Sequence, residues 1–103
     1  MTHRVELAGS IKAELKEAGR YLKDQVSPEA ARRWLANLQA AMATLESQPQ
    51  TCPIATESEA ARGEVRELLH GKGRSRHRIL FTIEGDRAII LGVRHIPEDE
   101  QTP

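Results

Sequence analysis

Large aromatic rings are scarce in this chain: one Trp, one Tyr and one Phe in 103 residues. A stacking platform of several rings, of the kind that reads single-stranded RNA, is thereby excluded. With only one cysteine, Cys52, an intramolecular disulfide is impossible, which fits a reducing cytosol. Cys52 precedes Pro53 in a Pro-flanked connector with no His close by, so it reads as a small loop residue and not as a catalytic thiol. No apolar run approaches membrane-spanning length, and the opening Met1-Thr2-His3-Arg4-Val5 lacks the apolar stretch of a secretory signal. A soluble, cytoplasmic protein without a membrane partner is expected. Net charge is also missing, because fifteen Lys/Arg and fifteen Asp/Glu cancel, so bulk electrostatic coating of nucleic acid is not anticipated. His3 and His70 have no partners at metal-ligand spacing, and Gly71-Lys72-Gly73-Arg74 lacks the upstream Gly and following Ser/Thr of a Walker motif. Neither a metal nor a cofactor is expected.

What is present is one domain's worth of patterned sequence. Residues 1–95 are assigned to that domain and 96–103 to a charged tail. Arg4-Val5-Glu6-Leu7 alternates polar and apolar, as a short strand does. Beyond Gly9, the residues Ile11, Leu15, Ala18, Leu22 and Val26 recur at helical steps and draw one apolar stripe, with Ser10 as the expected N-cap. Ser27-Pro28-Glu29 restarts the chain: Ser27 caps, Pro28 takes the first helical position, and Glu29 meets the positive end of the helix dipole. Apolar positions including Trp34, Leu38, Met42 and Leu45 carry this second helix to a Ser47-Gln48-Pro49 break, and Trp34 and Met42 read as core. So tight a junction predicts an antiparallel helical hairpin. A loop over 48–55 follows, then a helical turn announced by the capping-box spacing of Thr56-Glu57-Ser58-Glu59, then a strand over 64–69.

The last third carries the strongest pattern. His77-Arg78-Ile79-Leu80-Phe81-Thr82-Ile83 runs through Glu84-Gly85-Asp86-Arg87 into Ala88-Ile89-Ile90-Leu91-Gly92-Val93-Arg94-His95, which predicts a β-hairpin with Gly85 supplying the positive φ that a two-residue turn demands. With Glu84 opposite Arg87, uninterrupted pairing places Phe81 opposite Ile90, Leu80 opposite Leu91, Arg78 opposite Val93 and Arg76 opposite His95. Arg76, Arg78 and His95 would then cluster, with His77 and Arg94 on the other face. Six Lys/Arg against two acids between Arg62 and Arg78 add to this basic character, and Glu98, Asp99 and Glu100 offset it in the tail. Two guanidiniums and an imidazole beside Leu80 and Leu91 are costly unless something anionic or polar meets them.

These segments in this order make the chain similar to the RelE/ParE superfamily of toxins from type II toxin-antitoxin modules. The resemblance rests on Val5-Glu6-Leu7, on Ser27-Pro28-Glu29-Ala30-Ala31-Arg32-Arg33-Trp34-Leu35, on the stretch from Leu45 to Pro49, on Glu64-Val65-Arg66-Glu67-Leu68-Leu69, on residues 77–83, and on Val93-Arg94-His95. Its helix start looks closest to the ParE, or plasmid-stabilisation, branch. The resemblance implies an α+β fold, a helical hairpin packed on a small antiparallel sheet in the order β-α-α-β-β-β. It also implies a cognate antitoxin that wraps the toxin, with operator DNA met only through that antitoxin.

Two targets come with the family, and fold does not choose between them. The ParE branch poisons DNA gyrase and the RelE branch cuts mRNA on the ribosome; gyrase inhibition leads here, and a protein-binding module that has lost toxicity is a third reading. Cleavage would need cations and a general acid or base, and the residues matching the RelE pattern are Arg78 and His95, catalytic only if the protein is a ribonuclease. Ile96 follows His95 where some RelE-like members carry Tyr, which departs from the cleaving pattern. Lys72, Arg74, Arg76, Arg78 and Arg94 are the expected contacts to nucleic acid or target. Leu80, Leu91 and Val93, expected to lie under-buried on the sheet, are the candidate antitoxin surface.

Overall fold

Ile11, Leu38, Leu45, Ile79, Phe81 and Ile90 are each no more than 1 % exposed and meet in one cluster, which joins two helices to one face of a sheet. The computed structural model describes residues 2–56, 58, 63–71 and 76–95. In chain order the elements are β1 (Arg4–Leu7), α1 (Gly9–Gln25), α2 (Pro28–Ala43), 3₁₀ turns at Thr44–Glu46 and Pro49–Thr51, β2 (Arg66–His70), β3 (His77–Glu84) and β4 (Arg87–His95). This is the expected β-α-α-β-β-β order. Most of the expected helical turn after Thr56 and the tail from residue 96 lie outside the described residues.

Local chemistry explains most of the element boundaries. Ser27 Oγ accepts a hydrogen bond from the Ala30 amide at 3.0 Å, and Pro28 opens α2 where its missing N–H is no loss. The start of α1 differs from expectation. Its N-cap is Ala8, without a side-chain hydrogen bond, and Ser10 lies inside the first turn. The amide of Ala8 bonds the Ile90 carbonyl at 3.0 Å, so pairing to β4 sets where the helix begins, ahead of capping preference. Positive φ occurs at Gly71 (93°) and Gly85 (60°); Gly85 alone takes it within the β3–β4 turn, as a II′ turn requires.

The sheet runs β1-β4-β3-β2. β2, β3 and β4 are antiparallel, whereas β1 lies parallel to β4, so the sheet is mixed. A parallel pair needs a long connection, and the helical hairpin with the two intervening strands supplies it. Side chains alternate across the sheet: Val5, Leu7, Leu68, Ile79, Phe81, Ala88, Ile90 and Val93 belong to the core under α1 and α2.

The hairpin register departs from uninterrupted pairing. Glu84 faces Arg87 and Phe81 faces Ile90 as expected, but a bulge then takes up Leu91, so that Leu80 faces Gly92, Ile79 faces Val93, Arg78 faces Arg94 and His77 faces His95. One extra residue on β4 reverses the facing of every later side chain relative to an unbroken ladder. The expected partners Leu80 with Leu91, Arg78 with Val93 and Arg76 with His95 are thereby corrected, and so is the grouping of Arg76 and Arg78 with His95.

Below the sheet, on the face away from the helices, Leu80 joins Ala55 and Val65 in a second, smaller cluster. The connection from α2 is stitched to β2 by Ala55 N–H to the Val65 carbonyl (2.7 Å) and Glu67 N–H to the Pro53 carbonyl (3.0 Å). Leu80 is therefore 6 % exposed, not under-buried; Leu91 is 39 % exposed, and Val93 sits on the helix side. The three do not form the single exposed patch expected of them.

Truncating Phe81 to Ala should cost about 3–5 kcal/mol of unfolding free energy, since the ring has no exposure and leaves a cavity. Ser27→Ala should cost about 1 kcal/mol through the lost cap. Urea unfolding followed by circular dichroism orders the two, and equal costs would contradict this account of the core.

Candidate functional site

Arg78 is carried by β3 on the face away from the helices, opposite Leu69 on one side and Arg94 on the other. Its Nε donates to Glu67 Oε2 at 2.7 Å, with both side chains only about a quarter exposed (26 % and 23 %). Alternation explains the contact: Glu67 sits opposite Leu80, two residues along β2 from Leu69, so acid and guanidinium share a face. A charge so paired is partly neutralised and held in one orientation. Arg94 is exposed and folds back, its Nη1 donating to the Val93 carbonyl at 3.3 Å. A side chain at Gly92 would stand 3.1 Å from that guanidinium, so glycine at the bulge leaves room for the Arg94 arm to lie across the strand.

The structure thus brings Arg78 and Arg94 together and gives His95 a different neighbour, His77. Arg76 is half-buried just before β3. Lys72 and Arg74 lie outside the described residues. At the opposite end of the hairpin, Arg87 bridges Glu6 (3.1 Å) and Glu84 (2.9 Å), which ties β1 to the turn.

A second constellation, on the helix side, was not anticipated from sequence. His70 of β2 stands opposite His77 of β3, and His95 of β4 continues the row at the next strand. Trp34 of α2 donates its indole Nε1–H to His77 Nε2 at 3.4 Å, with ring centroids 6.5 Å apart and planes tilted by 58°. An indole only donates, so His77 is unprotonated at Nε2 when the bond forms. Trp34 is half-buried and packs on the core as expected, yet its polar edge reaches a residue 43 positions away. No local pattern signals that contact. Between the helical hairpin and the ends of β2 and β3 lies a cleft of about 590 Å³, into which Arg33, Trp34, Asn37, His70 and His77 project. Among the described residues, no three His, Cys, Asp or Glu side chains gather to hold a metal.

Cys52 is half-buried, and burial pushes its thiol up from the ordinary range while nearby Arg66 pulls the other way. The thiolate is disfavoured, which suits a packing role.

Comparison with known proteins places these features. Residues 5–99 match the family model described as the ParE toxin of type II toxin-antitoxin systems, parDE. A solved chain titled "Chromosomal ParDE TA system from P. aeruginosa" superposes with a TM-score of 0.74 at 17 % identity, covering 92 % of this chain and 97 % of its own. No curated protein matches the sequence.

The Trp34–His77 bond fixes the polar edge of the indole, so His77→Ala, which removes the acceptor, should shift the emission of Trp34, the sole tryptophan. A folded His77→Ala chain with the emission of the wild type would refute the contact.

Proposed function

The chain belongs to the ParE toxin family of type II toxin-antitoxin systems, and on that premise we propose that it arrests growth by inhibiting DNA gyrase until a cognate antitoxin binds it. The match to the ParE toxin model over residues 5–99 is the observation that supports this reading, since gyrase is the target that the resemblance to the ParE branch implies. Poisoning by binding needs a complementary surface and no general acid or base. The outer sheet face suits that role: Arg78 is held by Glu67, and Arg94 lies exposed beside it. A ribonuclease with Arg78 and His95 acting together gains no support from a register that pairs His95 with His77. Lys72, Arg74 and Arg76, on the chain leading into β3, extend the same proposed contact. No helix among the described residues is long and apolar enough to cross a membrane, and the proposed target places the action in the cytoplasm.

For the antitoxin, Leu91, unlike Leu80 and Val93, has the exposure that docking requires. Leu91→Asp should weaken the toxin-antitoxin complex while sparing the fold. Leu80→Asp, by contrast, should unfold the chain, because it places a carboxylate among Ala55 and Val65. Affinity unchanged in Leu91→Asp would remove Leu91 from the interface.

Expression of the chain alone should stop bacterial growth, and co-expression of its antitoxin should restore it. Purified chain should inhibit gyrase supercoiling without cutting ribosome-bound mRNA, and Arg94→Ala should weaken inhibition without a change in thermal unfolding, since an exposed strand-end Arg adds little stability. Cleaved A-site codons with normal supercoiling would overturn the proposal in favour of the ribonuclease reading.

A further inference from the structure

The cleft between α2 and the ends of β2 and β3 has no part in the outer sheet face, from which the sheet itself separates it. Its volume, about 590 Å³, lies within the range of small-molecule sites. Its walls are of two kinds. Leu22 and the Trp34 ring form an apolar side, while Arg33, Asn37, His70 and His77 bring a guanidinium, an amide and two imidazoles to the same space. Asp and Glu are absent from its described lining, so the field inside favours an anion.

The geometry points to a nucleoside phosphate as the ligand of this cleft. An apolar wall that includes an indole takes a base or other planar ring, and the Trp34–His77 bond orients that indole. An amide such as that of Asn37 can donate and accept at once along a base edge. A guanidinium offers the paired donors that phosphate oxygens accept, which assigns the phosphate to Arg33 with the imidazoles alongside. Neither a purely apolar ligand nor a bare inorganic anion would use both walls. The nucleotide's source, a free mononucleotide or the end of a single strand, shares this chemistry. The inference concerns a site apart from the gyrase-binding face and holds or fails without it.

Trp34, as the sole tryptophan, reports directly on the cleft. Purified full-length chain, held at one neutral pH, is titrated with AMP and with GMP, and separately with adenosine, inorganic phosphate and a short RNA oligonucleotide, by tryptophan emission and calorimetry. One or both mononucleotides should bind with a dissociation constant in or below the millimolar range usual for metabolite sites and shift the emission. Adenosine and phosphate alone should bind far more weakly. Arg33→Ala and Asn37→Ala, both at exposed helix positions, should keep the helical circular dichroism, and Arg33→Ala should weaken binding by roughly tenfold or more. Leu35→Ala, in the groove on the other side of Trp34, should bind as the wild type does. Oligonucleotide binding that a mononucleotide displaces supports the site and names a strand end as its source. No emission change or heat with either mononucleotide at about 10 mM, well above that range, would overturn the proposal. So would phosphate binding as tightly as AMP and GMP, or undiminished binding in folded Arg33→Ala. Gyrase is absent from every arm, so these outcomes are independent of whether the chain inhibits it.

Discussion

One extra residue in β4 organises both faces of the sheet in this toxin. Because strand side chains alternate, the bulge at Leu91 decides which neighbours every residue beyond it meets. It sets Arg94 beside Arg78 on the outer face and gives His77, on the helix side, the partner position His95. It also puts Gly92 opposite Leu80, where the small residue leaves room for the Arg94 arm. Without the bulge, Arg78 would face Val93 and the two arginines would part company.

Electrostatics on the outer face follow from that placement. The Arg78–Glu67 pair is half-buried and close at 2.7 Å, so its guanidinium is oriented by a neighbour as well as by the chain. Truncating Glu67 would leave a partly desolvated charge without that partner, which is costlier than losing an exposed pair. Arg87, bridging Glu6 and Glu84, does similar work at the hairpin turn but is more exposed, so its contribution is smaller. The sheet therefore presents Arg78 and Arg94 on one side, and on the other the apolar core with His70 and His77 at its edge beside the Trp34 indole.

That division matches the two roles proposed for this small fold. A surface that docks on a large target benefits from exposed, oriented charge, which steers encounter and selects partners. A cleft for a small ligand needs walls fixed by packing instead. Trp34 satisfies the second condition because its ring rests on the core while its N–H is tied to His77.

The sequence by itself determined the elements and their order. Helical spacing from Ile11 to Val26, the Ser27-Pro28-Glu29 start and the Gly85 turn are local signals, each readable within a few residues because capping, dihedral freedom and amphipathic period act over one or two turns. The family was also legible, through the order of short segments over nearly the whole chain. Tertiary structure alone decided what those signals do not encode. Parallel pairing of β1 with β4, the Ala8 start of α1 and the burial of Leu80 beneath Ala55 and Val65 all arise from contacts between distant segments. Only the ladder showed that Leu91 is the extra residue of β4. The Trp34–His77 bond spans 43 positions and joins helix to sheet, so no periodicity could announce it: side chains so far apart in sequence meet only because a shared core brings their elements together.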